Sequence, residues 1–420
     1  MTKVILIITV LIFTVQSNSQ GWVQQNSGVT STLYSVFFLD VNTGFITGDP
    51  DNGNLLLKTT NGGINWVRRQ VGPPPTSYPL RSVFFINANT GFICGGPTPL
   101  HVVYKTSNGG ESWTTIYFNP TNYSMEAIFF VNSLTGIAVG SATGTPSYVF
   151  RSTNGGVNWS NQSTFGNRLY NLYFINQETG YACGEPGIVI KTTNSGANWD
   201  QLVTGVSSSL RSIYFIDSLT GWIAGTDSKV YKTTNGGNSW ALNYNQGLCG
   251  LYSVRFADEN TGWVCGCEGA INGTTNGGSS WLLQSFASTI YLYSMSFPTS
   301  LTGWAVGAGG RILKTTTGGI TAFQQISNTI PFEFSLSQNY PNPFNPSTKI
   351  RFEISGSSVA QTFLSVYDML GREISTLVNE ELKPGMYEAE WKASSYPTGV
   401  YFYRLNAGSF TETKKMVLVK

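Results

Sequence analysis

The chain repeats itself seven times, and that periodicity limits the available folds more than any other feature. One marker, Thr-Gly followed by a mostly aromatic residue, places its glycine at 44, 91, 136, 180, 221, 262 and 303, at spacings of 47, 45, 44, 41, 41 and 41 residues. A second, Thr/Ser-x-Asn-x-Gly-x-x-Trp, is complete six times. Its asparagine and tryptophan are Asn61 and Trp66, Asn108 and Trp113, Asn154 and Trp159, Asn194 and Trp199, Asn235 and Trp240, and Asn276 and Trp281. A fixed period of about 40 to 50 residues marks a solenoid or a ring of supersecondary units.

Each unit reads as β-structure. Runs such as Leu33-Tyr-Ser-Val-Phe-Phe-Leu39 are β-branched and aromatic, end at Asp or Asn before the Thr-Gly turn, and resume as Gly44-Phe-Ile-Thr. A third run, as in Leu55-Leu-Leu-Lys58, enters an Asn-Gly-Gly turn, and the tryptophan opens a fourth strand. Asn-Gly is a strong hairpin signal because the two central positions need positive φ, so positive φ is expected at the asparagine and the glycine after it. Four antiparallel strands in each of seven copies predict a seven-bladed β-propeller over residues 20–325.

Two irregularities fit together. The seventh copy, Thr315-Thr-Thr-Gly-Gly319, runs on to Ala322 where a tryptophan is due, while an orphan Gly21-Trp22-Val-Gln-Gln stands near the N-terminus. A ring closed by that N-terminal segment, with Trp22 as the missing indole, explains both; an open solenoid would need capping repeats instead.

The second marker resembles the Asp-box of bacterial neuraminidase repeats, with Thr for Ser and Asn for Asp. Together with the Thr-Gly-aromatic hairpin and the Lys-Thr-Thr run, it is similar to the photosystem II assembly factor family of seven-bladed propellers and, more distantly, to sortilin-type domains. The resemblance implies a structural role for the box, the turn bonded by its Asn and the Trp packed between neighbouring strands.

Beyond residue 325 the repeat stops. Four prolines from Pro331 to Pro346 exclude a helix, so residues 326–346 read as a proline-rich linker running into a first strand. Alternating runs at Thr348–Ile354, Gln361–Asp368, Tyr387–Trp391, Gly399–Asn406 and Ser409–Val419 then predict a small immunoglobulin-like β-sandwich over residues 347–420. The motifs Tyr340-Pro-Asn-Pro-Phe344, Val366-Tyr-Asp-Met-Leu-Gly-Arg372, Leu382-Lys-Pro-Gly385-Met-Tyr387, Pro397-Thr-Gly399-Val-Tyr-Phe402 and Lys414-Lys-Met-Val-Leu-Val-Lys420 closely resemble the C-terminal sorting domain of cargo of the type IX secretion system of Bacteroidetes-like bacteria. That resemblance implies an export signal read at the outer membrane, with the secretion machinery as partner and the protein released or held at the cell surface. The other end agrees: Lys3, the apolar run Val4 to Val15 and the small residues Ser17 and Ser19 read as a signal peptide over residues 1–19, too short for a lasting anchor. No second apolar run of about 18 residues appears, so no transmembrane segment is expected.

Composition narrows the chemistry. Charged residues make up 11% of the chain, there is one His, and the net charge is +2 without a Lys/Arg cluster, which argues against nucleic acid as a partner. His101, placed in the Gly95-to-Val102 loop, is alone, so neither a metal site nor a cofactor is expected. Of five cysteines, Cys94, Cys183 and Cys265 occupy one repeat column that elsewhere holds Thr, Val or Ala, and read as free buried thiols. Cys249 and Cys267 flank a predicted hairpin and are candidates for a disulfide.

The candidate binding column opens the strand before each Thr-Gly turn: Tyr34, Arg81, Glu126, Tyr170, Arg211, Tyr252 and Tyr293. If the first strands are innermost, these seven converge on the channel mouth, and Tyr and Arg dominate binding hot spots; packing between blades is the alternative use of the same residues. In the photosystem factor family an Arg-rich patch holds the matching positions, of which only Arg81 and Arg211 are Arg here. The expectation is a secreted or cell-surface, non-enzymatic protein binding a protein or glycan. A carbohydrate-active hydrolase of sialidase or glycosidase type is the alternative, with Asp49, Asp51, Glu126, Glu185, Asp227 and Glu268 as its candidate carboxylates. The sialidase arginine cluster is missing.

Overall fold

A computed structural model describes residues 21–73, 76–96, 101–119, 123–142, 146–245, 250–285, 289–319, 323–327, 329–393 and 396–420. The signal-peptide reading, residues 1–19, and Cys249 lie outside the described residues. The chain divides into two compact units, Gln20–Ile320 and Thr321–Lys420.

The first unit consists of seven four-stranded antiparallel sheets. Six are built from consecutive strands, the first of them from Leu33–Phe38, Gly44–Gly48, Leu55–Thr59 and Val67–Arg68. The seventh takes Leu292–Ser296, Gly303–Gly307 and Ile312–Thr315 from the end of the repeat region and Val23–Gln25 from its beginning. Val23 pairs with Lys314 and Gln25 with Ile312. The ring is thus closed by the N-terminal strand, and no sheet in it is left with three strands.

Side-chain stacking explains the Thr-Gly-aromatic marker. The phenylalanine ending each first strand, such as Phe38 or Phe85, lies over the marker glycine of its own blade: a Cβ on Gly44 would stand 2.4 Å from the Phe38 ring, and one on Gly91 2.6 Å from Phe85. These glycines are needed for that close approach. The other face of the phenylalanine stacks on the marker aromatic of the preceding blade, at 4.0 Å for Phe45 and Phe85, 3.5 Å for Phe92 and Phe130, and 3.5 Å for Trp304 and Phe38 across the ring closure. Each offset-stacked pair adds about 0.5–1.5 kcal/mol beyond the area it buries. In blade three the marker position is Ile137, which packs in the same cluster as Phe174 without a ring of its own.

The Asp-box turns close on themselves. Thr59 Oγ1 donates to Asn61 Oδ1 and accepts from the Gly63 amide, while Asn61 Oδ1 also accepts from the Asn65 amide. The same pattern recurs at Asn108, Asn154, Asn194, Asn235 and Asn276. In the seventh copy Thr317 stands where asparagine would, and Thr315 Oγ1 still accepts from the Gly319 amide at 2.7 Å and from the Thr317 amide at 3.1 Å. The hairpin expectation is corrected in one respect. Positive φ falls on Gly62 and Gly63, not on Asn61, because the asparagine side chain bonds ahead to the turn and its backbone stays in the ordinary region. In the fourth copy Ser195 takes the first of these positions at φ 57°.

The second unit is a sandwich of two four-stranded antiparallel sheets. One orders Phe323–Ser327, Gly385–Lys392, Ser347–Ile354 and Ser335–Leu336; the other Glu373–Leu382, Ala360–Tyr367, Gly399–Ala407 and Phe410–Leu418. Its core is one cluster including Trp391, Tyr403, Phe352 and Leu364. The boundary read from the sequence at 325 therefore moves. Phe323–Ser327 pairs with Gly385–Lys392 rather than with a blade, while Ser335–Leu336, inside the segment read as linker and entry strand, pairs with Phe352 and Glu353. The repeat pattern gave no stop signal after Gly319, and the strand has no turn residue to announce it.

Candidate functional site

The seven column residues come together. Tyr34, Arg81, Glu126, Tyr170, Arg211, Tyr252 and Tyr293, one from each blade, all line a single cavity of about 370 Å³ walled by the seven first strands. A shared backbone irregularity aims them. In blade one the pairing runs Leu33 to Gly48 and then Ser35 to Thr47, leaving Tyr34 without a partner. The same one-residue bulge leaves out Arg81, Glu126, Tyr170, Arg211, Tyr252 and Tyr293. A bulge bends its strand and turns the extra side chain out of the regular alternation. The enabling residue is the second glycine of each Gly-x-x-x-Gly interval: a Cβ on Gly48 would stand 2.2 Å from the Thr32 carbonyl oxygen, and one on Gly184 1.7 Å from that of Arg168. The five-residue interval Gly44-x-x-x-Gly48, repeated in every copy, is the sequence signal from which the bulge was readable.

Charged groups and aromatic rings meet around the mouth. The Arg81 guanidinium lies 4.1 Å from the centre of the Tyr34 ring and 4.0 Å from Glu126, and Tyr34 donates to Asp49 at 2.8 Å. Glu126 also accepts from Ser124 at 3.1 Å. Across the ring, Arg211 covers Tyr170 at 3.8 Å, and Tyr170 hydrogen-bonds Glu185, which accepts from Ser209. Between these two stations, Tyr252 meets Tyr293 edge-on at 5.2 Å, and Tyr293 leans on Tyr34 at 5.7 Å. Burial, joined by the bond to Glu185, pushes the Tyr170 hydroxyl up to about 12; burial also raises Tyr34 against the opposing charge of Arg81. These hydroxyls are therefore neutral donors at physiological pH. Arg211 Nε is buried without an acceptor.

The remaining sequence candidates separate. Asp49 and Glu185 belong to the mouth through their tyrosines. Asp227 accepts from Tyr231 at 2.7 Å and pairs with Lys229, Asp51 pairs with Arg68, and Glu268 sits at φ 56° in the short turn Cys267–Gly269. His101 is not in a loop: it begins the strand His101–Thr106, fully buried against Tyr117 and Phe150, because the apolar run that follows it continues inward. Cys94, Cys183 and Cys265 are free and buried, with burial raising each thiol. Cys267 is disulfide-bonded. Among the described residues no group of three or more His, Cys, Asp and Glu side chains is placed to hold a metal ion, and no helix is long and apolar enough to cross a membrane.

A deeper ring escaped the sequence reading. Three residues beyond the column, Phe37, Phe84, Phe129, Tyr173, Tyr214, Arg255 and Ser296 also line the cavity. Between the two rings, small polar side chains stitch neighbouring blades: Ser35 Oγ accepts from the Val83 amide, Asn171 Oδ1 from Ile213, Ser212 Oγ from Val254, and Ser294 Oγ from Val36 across the closure.

Comparison with known proteins agrees with this architecture. Residues 338–420 match the family model of the secretion system C-terminal sorting domain, and residues 14–123 that of photosynthesis system II assembly factor YCF48. Similar solved structures include YCF48 bound to a D1 peptide, at 21% identity and TM-score 0.59 over 71% of this chain and 97% of that one. YCF48 from Cyanidioschyzon merolae follows, at 18% identity and TM-score 0.58 over 70% and 98%. The WD40 propeller domain of Doa1 matches at 11% identity and TM-score 0.54 over 69% and 95%. No curated protein matches the chain significantly. The class is thus an Asp-box-type seven-bladed propeller followed by a β-sandwich. More particularly, residues 14–123 are similar to the photosystem II assembly factor family, and the C-terminal sorting domain matched by residues 338–420 directs the protein to the cell surface or the medium.

Proposed function

We propose that this exported protein is a non-enzymatic binding module whose channel mouth takes a protein or a glycan. The observation that carries the reading is the convergence of seven bulge residues on one cavity, with Arg81 stacked on Tyr34 and Arg211 on Tyr170. A guanidinium stacked on a ring face presents donors at its edge, an arrangement suited to carbonyl, carboxylate or hydroxyl acceptors. That a similar propeller was solved with a D1 peptide supports a polypeptide ligand. The sorting domain supplies the address and engages the type IX secretion machinery.

The competing use is glycoside hydrolysis, favoured by Asp49, Glu126 and Glu185 standing around the same mouth. Each already holds a neighbouring tyrosine or serine hydroxyl, which suits a positioning role. The purified mature chain applied to peptide and glycan arrays should retain a restricted set of ligands, and Arg81→Ala with Arg211→Ala should lose them while the unfolding curve stays in place. Turnover of a polysaccharide panel, abolished by Glu126→Gln or Glu185→Gln, would instead establish the hydrolase.

A further inference from the structure

Inside the mouth, the channel wall carries a cation that no carboxylate among the described residues pairs with. Arg255 ends the deeper ring beside Tyr214, its guanidinium 5.5 Å from that ring. One nitrogen, Nη1, donates to the Val254 carbonyl at 2.8 Å and to Ser212 Oγ at 3.4 Å. Among the described residues no carboxylate lies within 4.0 Å of it. Burial pulls this arginine below its ordinary value, with only tyrosines and a thiol around it to oppose the shift. Arg255 is half-buried in the channel wall, and a guanidinium held there without a carboxylate beside it leaves a position for an anion.

The surroundings define which anion. The guanidinium fork fits a planar carboxylate through two parallel hydrogen bonds. Next to it, Tyr173 and Tyr214 lie 4.7 Å apart, and Phe129 and Phe84 continue the wall at 4.4 Å from each other. A hydrated inorganic ion gains nothing from that wall, whereas an organic acid with an apolar body buries it. We propose that the channel interior binds an organic carboxylate, with Arg255 holding the anion and the rings of Tyr214, Tyr173 and Phe129 enclosing its apolar part. This site lies deeper in the same cavity than the seven mouth residues.

The test uses the mature full chain, with phenylacetate as probe and phenylacetamide as its neutral counterpart, by calorimetric titration and by ligand-dependent thermal shift. Saturable binding of phenylacetate but not of the amide is expected, and a larger loss in Arg255→Met than in Arg81→Ala or Arg211→Ala assigns it to the deeper ring and not to the mouth. Arg255→Met should weaken it on the order of tenfold to a hundredfold, and Arg255→Lys, which keeps the charge but not the fork, should weaken it as well. A short peptide with a free C-terminus, compared with its amide, distinguishes a chain terminus from a small acid as the natural source; tight binding of either free acid supports the site. Equal affinity for inorganic phosphate, no binding of any free acid by the wild-type chain, or undiminished binding by Arg255→Met would each overturn it. The comparison of acid and amide on the wild-type chain stands even if the Arg255 variants do not fold.

Discussion

Trp22 meets Phe297 edge-on, with ring centres 5.8 Å apart and planes at 88°. Six other tryptophans do the same to the phenylalanine of their own blade, from Trp66 on Phe38 at 5.9 Å to Trp281 on Phe256 at 5.9 Å. Trp22 therefore performs in the seventh blade the task of an Asp-box tryptophan, although it comes from the opposite end of the repeat region. It is fully buried, and its Nε1 donates to Gln284 of the sixth blade at 3.1 Å.

Trp22→Ala should accordingly destabilise the propeller by about 3–5 kcal/mol, the usual cost of emptying a large buried aromatic site. Trp66, only partly buried, should cost less on the same change. Chemical unfolding of the two variants beside the wild type measures the difference; equal losses would mean that ring closure adds nothing.

A methyl group at the marker glycine has no room. Gly91→Ala should cost about 1–3 kcal/mol by forcing Phe85 out of its stack on Phe45, since the added carbon would lie 2.6 Å from that ring. Gly166→Ala, where nothing lies within 4 Å, should change stability by no more than about 0.5 kcal/mol. Thermal unfolding of both variants checks the contrast.

The sandwich has a carboxylate that responds to acid. Burial alone would raise Glu388, but hydrogen bonds from Lys349 at 2.6 Å and Arg351 at 2.9 Å outweigh it and hold the carboxyl below its ordinary value. Because the folded value is the lower one, the pairing stabilises the sandwich above the unfolded carboxyl value of about 4.3 and is lost as pH falls through the folded value. Wild type should be more stable than Glu388→Gln at pH 7, and the two should converge below pH of about 4 in urea unfolding curves. A gap that persists unchanged into acid would contradict the assignment.

Removal of residues 338–420 should leave a folded propeller that no longer reaches the cell surface or medium. Fractionation of cells producing the truncated chain should find it in the periplasm. Normal delivery would show that the sorting domain is not its address.

The repeat made much of the propeller legible in advance, because a recurring unit exposes its own rules. Glycine at the Thr-Gly turn, phenylalanine at the strand end and tryptophan after the Asp-box recur wherever the same stack recurs, and the missing indole pointed to Trp22. The column from Tyr34 to Tyr293 was legible for the same reason, as equivalent positions of equivalent strands must face one axis. The deeper ring was not, because Phe37, Phe84 and Tyr214 look like ordinary strand aromatics and Arg255 like a solitary surface charge. His101 misled in the same way, its polarity suggesting a loop where burial and neighbouring rings decided otherwise. Local sequence thus determined the blades, their number, the closing strand and the sorting signal, since each depends on contacts within a unit or between repeated equivalents. Only the tertiary structure decided that Phe323–Ser327 belongs to the sandwich and that, among the described residues, no carboxylate pairs with Arg255. Those outcomes depend on what approaches from other blades and strands, and no local pattern encodes such an encounter.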